Sequence, residues 1–410
     1  MNSSAPKIRP DIHLFPTMHE GQRAFIVNDT IGLIKEPILL KGMALDVFGL
    51  INGTNSIQDI QVTLMRLMNG VFVSSDDVRM ALQSFDEAFL LDTDHYHRER
   101  RSLIEKYGRL KKRKAFLAGK AYPDSESGLR DYLELFFEED ESVSSAEFTT
   151  DVKALIAPHI ELNVAKRIYG RAYSAVAGLS PKRILLLGTG HSLQKAFFSI
   201  TEKDYETPLG TVRTDTEGVR MLRQNAAAAV ASHDLDHKSE HSLEFQLIFL
   251  QHIFGSDFTL LPILFGSFHD ILDSVSQPSE VPEIKSFLET LAEYISRKEE
   301  ETLVVAGVDL SHIGPKFGHN DPAGALLSAA REHDQRLLEA VCQGDVQVLW
   351  KEIQNSGDEF NICGFSTLSC LLELFPKAQG QILDYEIWEE DSTQSAVSFA
   401  AVVIGDSHSG

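Results

Sequence analysis

The sequence predicts an α/β chain in which a small α+β unit precedes a larger sheet domain with helices on both faces. Three observations predict it. The chain has 410 residues, more than one small core fills, so two domains are expected. From about Val152 short apolar runs alternate with amphipathic stretches, as in parallel strands joined by helices. Before about Asp94 the order differs, with two β-prone runs followed by three helical ones.

In the first unit, "RAFIVND" and "IGLIKE" read as short strands separated by an Asn-Asp turn signal. "KGMALDVFGLIN" has helical apolar spacing at Met43, Leu45, Val47, Phe48 and Ile51. "SIQDIQVTLMRLM" and "SSDDVRMALQSFDEAFLLD" each open on a serine that can cap a helix. Two strands and three helices suggest a winged-helix-like module over residues 1–97. It lacks a dense basic recognition helix, so DNA is not the expected ligand. "RERRSLIEKYGRLKKRK", Arg98 to Lys114, reads as a basic helical connector, and a solvated charge run is the preferred account of it. The acidic run "FFEEDES", Phe136 to Ser142, should end an amphipathic helix of the second domain, which spans 115–410.

In that domain "VKALIAPH" and "RILLLGTGH" read as buried strands around a helix with apolar residues at Ala165, Ile168, Tyr169, Ala172 and Val176. This is a βαβ unit. "FTLLPILFG", "TLVVAGVDLSHIG" and "AVSFAAVVIG" are further strands, spaced by helices such as "HSLEFQLIFLQHIF" and "SFLETLAEYISR".

The bulk numbers exclude some functions. A formal net charge of −22 argues against a nucleic-acid surface, which needs a basic face to neutralise phosphates. No stretch approaches the roughly 20 apolar residues of a membrane span, and the first residues lack the apolar core of a signal peptide. Three cysteines, Cys342, Cys363 and Cys370, are too few for a disulfide framework, so a reducing cytoplasm is the expected location.

Three predicted strands run into polar residues: the first ends at His159, the second at His191, the third at Asp309 with His312 beyond. In open α/β sheets, sites collect at the carboxyl ends of the strands. A phosphate loop at "GTGHS" fails, because the third glycine would fall at Leu193 and no Gly-Lys pair follows. Gly188 and Gly190 instead suit a tight turn that delivers His191. Two neutral imidazoles suit iron, copper, nickel or zinc, and a carboxylate or thiolate would complete the face. Cys363 in "FNICGFSTL" is the best thiol candidate, because Gly364 allows close backbone approach; for a lone apolar-flanked cysteine, burial as a small hydrophobe is the favoured account until other evidence enters. Cys370, inside a helix, and Cys342, at a helix end, read as structural. "SHDLDHKSEHSLE" carries His233, His237 and His241 with Glu240 and Glu244, and His241 and Glu244 are spaced to share a helix face. A polar loop with capping residues explains that stretch equally well. Asp309 and His312 fit a carboxylate orienting an imidazole for acid–base work, or a cap beside a surface histidine.

These pieces, in this order, resemble the Memo family, whose bacterial members are called AmmeMemoRadiSam system protein B. "AGKAYP" is similar to the family's A-G-S-W-Y-P, "IAPH" to I-A-P-H-A-G-Y, and "LLLGTGHS" to L-G-P-S-H-H. "ETPLGTVRTD", "EHSLEFQLIFL", "VDLSHIG" and "ICG" follow in family order, and the resemblance runs from about Phe116 to Gly405. It implies a fold like that of class III extradiol dioxygenases. It also implies a metal, iron or copper, on His159, His191 and Cys363, with His312 as acid–base, Asp309 beside it, and His241 and Glu244 lining the cleft. The chain departs from the family pattern at Leu117, Ala121, Ile160, Glu161 and Ser192, so its pocket wall is its own. The N-terminal unit is similar to PqqD-like modules, on its element order and on "INGTNSIQDI"; that resemblance implies an extended peptide bound along a strand edge. Together they imply a metal-dependent, oxygenase-like redox protein working with a radical S-adenosylmethionine enzyme. A non-enzymatic peptide-binding adaptor with a vestigial metal site is the alternative. Metal-assisted hydrolysis is less attractive with a thiolate ligand.

Overall fold

The computed structural model describes residues 5–137, 150–376 and 378–407. The chain divides into two compact units, Met1–Arg109 and Leu110–Gly410. In the first, β1 (Ile12–His19), β2 (Gln22–Asp29) and β3 (Ile38–Lys41) form an antiparallel sheet in the order β1-β2-β3. Helices α1 (Gly42–Gly49), α2 (Ile57–Leu67), α3 (Ser75–Glu87) and α4 (Asp94–Gly108) follow. The expected serines do cap: Ser56 with Asp59 and Ser74 with Asp77 each make a reciprocal capping box, typically worth about 1 kcal/mol.

The predicted strand "IGLIKE" is not one. The Asp29 carboxylate accepts the backbone N–H groups of Ile31 and Ile34 and folds the segment into a turn, while Gly32 takes φ +76°. The partners of β2 are instead Ile12–His19 and Ile38–Lys41.

In the second unit the strands are β4 (Lys112–Lys114), β5 (Thr150–Ala157), β6 (Arg183–Thr189), β7 (Phe198–Ile200), β8 (Asp204–Thr207), β9 (Gly210–Thr214), β10 (Thr259–Phe265), β11 (Thr302–Gly307), β12 (His312–Ile313), β13 (Gln379–Glu390) and β14 (Ser395–Ser407). The helices are α5 (Glu126–Glu134), α6 (Lys166–Ser174), α7 (Thr216–Asn225), α8 (His241–Phe254), α9 (Pro282–Ser296), α10 (Ala323–Gln343), α11 (Val346–Ser356) and α12 (Phe365–Leu374). The sheet order is β12-β14-β5-β11-β6-β10-β9-β8-β4, with β13 on β14 and β7 on β10.

Its centre, β5-β11-β6-β10, is parallel, and β14 runs antiparallel to β5. The sheet is therefore mixed rather than all parallel. Alternate residues of the central strands face opposite sides. Ile156, Leu187 and Val304 pack with α7, α9, α10, α11 and α12; Leu155, Leu186 and Val305 pack with α5, α6 and α8. Burial on both faces is why these strands read as unbroken apolar runs.

The basic stretch Arg98–Lys114 is not a solvated connector throughout. It supplies most of α4 and then β4, whose alternation turns Arg113 inward, to 1% exposure. Of the acidic run, Phe136 and Phe137 follow α5; residues 138–142 lie outside the described residues. The loop ahead of Cys363 carries left-handed backbone at Asp358 (φ +50°) and Asn361 (φ +51°).

Candidate metal centre

Strand order brings the polar strand ends together. β11 lies between β5 and β6, so the segments bearing His159, Asp309 and His191 leave the sheet side by side at its carboxyl end. Cys363 arrives on the loop before α12. At Gly364 a Cβ would stand 2.7 Å from Val308 Cβ and 2.8 Å from the Asp309 carbonyl oxygen, so only glycine lets this loop lie so close. Gly188 serves differently from the tight turn expected of it. Its φ is not in the left-handed region, and a Cβ there would meet Leu243 Cδ2 at 2.7 Å, so it admits the start of α8.

One ligand atom each from His159, His191 and Cys363 falls within a group whose members lie no more than 4.8 Å apart. Cys363 Sγ is 3.4 Å from His159 Nε2. His159 Nδ1 is 2.9 Å from the Gly307 carbonyl oxygen. A carbonyl only accepts, so Nδ1 carries the proton and Nε2 keeps its lone pair. His191 Nδ1 lies 3.0 Å from Glu240 Oε1, which selects the same tautomer. Metal-binding histidines are commonly fixed in this way, with the other ring nitrogen donating to a carbonyl or carboxylate. The donor set therefore fits a metal ion: two imidazole nitrogens with free lone pairs and one sulfur.

The two imidazoles differ electrostatically. Burial pulls His159 down to about 4, against the opposing pull of Asp309. Burial also acts to lower His191, but the charge and hydrogen bond of Glu240 prevail and raise it. Glu240 itself, despite burial, is held well below the usual carboxylate range by His191 and His241. Burial, with the Asp309 charge second, pushes the Cys363 thiol well up; a cation bound to sulfur reverses that balance.

Asp309 is 1% exposed and accepts the His159 backbone N–H at 2.8 Å. It does not orient His312 by a hydrogen bond, as the sequence suggested. His312 begins β12, paired with β14, and its Nδ1 rests 2.9 Å from the Leu310 carbonyl oxygen. Nε2 is then its basic nitrogen, and burial lowers its pKa.

His241 belongs to the site: its ring centroid is 4.7 Å from that of His191 and 5.2 Å from that of His159. Glu244 does not. It is fully buried, with its carboxylate taken by the Arg113 guanidinium, the Phe116 and Leu117 backbone N–H groups and the Tyr122 hydroxyl. The carboxylate facing the histidines is Glu240, which caps α8 from the residue before it. A glutamate placed directly before a helical apolar run was its signal in the sequence. His237 is buried against the Tyr205 hydroxyl, and His233 lies 3.7 Å from Asp236. Cys342 and Cys370 are free cysteines outside the group.

The family model for the Memo-like protein matches residues 113–403. A MEMO1 family protein of Aquifex aeolicus is 27% identical over 397 residues, covering 97% of this chain and all of the relative. One from Thermus thermophilus is 27% identical over 350 residues, 85% of this chain and 99% of that protein. One from Pyrococcus abyssi is 28% identical over 305 residues, 70% of this chain and 97% of its own length. The relative from Aquifex thus extends across both units, whereas the family model covers the second alone. No described helix is long and apolar enough to cross a membrane. A match over most of the chain, on the unit that carries the clustered histidines and cysteine, leaves one conclusion: this chain belongs to the Memo-like family.

Proposed function

We propose that the protein is a metal-dependent redox protein of oxygenase-like chemistry, with iron or copper held by His159, His191 and Cys363. The observation that carries this is the convergence of two pre-oriented imidazoles and one thiol at adjacent strand ends. A mixed nitrogen–sulfur set favours these softer, redox-active metals over magnesium or calcium. The bound metal would supply one-electron chemistry and open coordination positions.

The chain's own residues supply the rest. Cys363 and His159 form the inner wall, and Asp309 fixes the latter by its backbone. His191 and His241 form the more exposed side, where a substrate would enter. His312, neutral with Nε2 free, takes the acid–base role, accepting a proton from a substrate hydroxyl or amide. Its setting beside the Asp309 charge supports that role without a direct hydrogen bond.

The test is metal analysis of anaerobically purified protein. Near-stoichiometric iron or copper is expected, lost in His191→Ala and Cys363→Ala. Protein that stays metal-free after anaerobic reconstitution with both metals overturns the reading.

A second reading, a peptide-binding adaptor partnered with a radical S-adenosylmethionine enzyme, draws support from the first unit. There, Leu14, Phe15 and Met18 on edge strand β1 are exposed, along with Ile26 and Leu39. An uncovered apolar edge suits strand addition by a peptide of a PqqD-like module's kind. Peptide binding that survives Cys363→Ala but not Phe15→Asp, with no oxygen consumption under any metal loading, favours the adaptor.

A further inference from the structure

Glu240 is the N-cap residue of α8. Its backbone is extended (φ −70°, ψ 128°), so its side chain folds back over the first turn of α8. Oε1 accepts the His241 and Ser242 backbone N–H groups at 2.9 and 3.0 Å, and the His191 ring N–H at 3.0 Å. The His241 Nδ1 lies 3.2 Å from the same oxygen. Oε2 accepts the His191 backbone N–H at 3.0 Å. One carboxylate, 5% exposed, thus holds the backbone and ring of a ligand histidine, the neighbouring histidine, and the helix that follows.

We propose that Glu240 is the positioning residue of the metal centre, fixing His191 as the Nδ1–H tautomer with Nε2 left to the metal and tying that choice to the seating of α8. The inference rests on the metal-binding reading above and deepens it. His191, Glu240 and His241 also place one ligand atom each within 4.8 Å, the donor set of a two-histidine, one-carboxylate metal site. The hydrogen bonds speak against that use. Oε1 already takes two backbone N–H groups and an imidazole N–H, so its lone-pair directions are occupied. Both nearby ring nitrogens are Nδ1, and the one on His191 must shed its proton to bind there. The set acts as a hydrogen-bonded brace.

The brace also sets a competition. His191 and His241 both reach one oxygen, and the closer approach belongs to His191. His191 is held at ring and backbone alike, and His241 shares the same oxygen at 3.2 Å.

The experiment uses the full chain with Glu240→Gln, which keeps a carbonyl oxygen for the cap but loses the second acceptor. Glu244→Gln, at the other buried glutamate of the same helix, is the control for structural damage. Affinity for iron(II) and copper(I) is read by competition with a chromophoric chelator. A loss of about 10–100-fold is expected for Glu240→Gln, the range typical of residues that orient a metal-bound histidine; Glu244→Gln should leave affinity unchanged. The second readout needs no metal. In metal-free protein labelled with 15N-histidine, at a pH where His191 is neutral, its ring nitrogens should report the Nδ1–H tautomer in the parent and Glu244→Gln, and a mixture in Glu240→Gln. A His191 tautomer unchanged by Glu240→Gln overturns the proposal, as does an unchanged metal affinity. If the parent binds neither metal, the functional reading falls on its own, and the tautomer readout still decides the role of Glu240.

Discussion

Glu240, the cap of α8, and Glu244, in its first turn, are both buried, both with their carboxylate oxygens engaged by several donors. Their partners differ. Glu240 accepts from two backbone N–H groups of its own helix and from His191, so its charge is spent at the open side of the centre. Glu244 accepts from a buried guanidinium, a tyrosine and the backbone ahead of them, so its charge ties Arg113 and Leu117 to α8. The chemistry of the two side chains is identical. What separates a site residue from an anchor is whether the donors facing it can also face a ligand.

The largest effect that can break this division is on stability. Glu244→Ala removes the buried carboxylate that faces the Arg113 guanidinium and should cost about 3–5 kcal/mol, read as a fall in the urea midpoint. Metal content per folded molecule should not change. If metal is lost from Glu244→Ala while near-native circular dichroism persists, the anchor is also part of the site and the division fails.

Two histidines, His237 beside Arg113 and His191 beside Glu240, sharpen the contrast through pH. Near the anchor, burial, reinforced by Arg113 and opposed by Asp234, keeps His237 down at about 4. The unfolded chain titrates that group near 6.5. Between these values the unfolded state binds a proton the folded state refuses, so stability falls as pH drops from about 6.5 to about 4. The loss is on the order of 2–3 kcal/mol, and it should vanish from the pH profile of His237→Gln. His191 has the opposite sign. Its folded pKa is raised, so in metal-free protein its contribution is complete below the unfolded value and fades as pH rises through the folded one. Urea titrations of metal-free protein from pH 4 to 8, with His237→Gln and His191→Gln, separate the two slopes. Slopes of the same sign for both residues defeat the contrast.

The smallest effect is Tyr122→Phe, which deletes one hydrogen bond to Glu244 and should cost about 1 kcal/mol. Metal affinity should again be indifferent. A Tyr122→Phe variant that destabilises by no measurable amount places the anchor's strength in Arg113 and the backbone alone.

Much of this was legible in the sequence because it depends on local pattern. The apolar runs ending at His159, His191 and Asp309 are strands buried on both faces, and a histidine just past such a run stands at the carboxyl end of the sheet. Gly364 beside Cys363 was a readable sign of close approach. Glu240 was harder to see. Helical spacing pairs His241 with Glu244, but a residue before the first turn is not on the helical face, and its extended backbone sends the side chain elsewhere. Arg113 was hidden among five basic residues in the six positions Arg109–Lys114, the last three of which form a short strand whose period of two turns it alone inward. Asp309 and His312 look paired at three residues' separation only if the chain is helical there. In the fold no helix forms between β11 and β12, and each turns to a different backbone group.

His159 and Cys363 are 204 residues apart in the chain, and β14, which follows both, lies against β5, the strand that presents His159. A ribosome delivers these pieces in order, and the sulfur comes last of the three. During synthesis the first two residues of the set are therefore present without their third, and the sheet around them is incomplete until β14 pairs with β5. On the metal-binding reading proposed above, acquisition would follow the arrival of Cys363 and the pairing of β14 with β5, so a loaded centre would report that both have taken place.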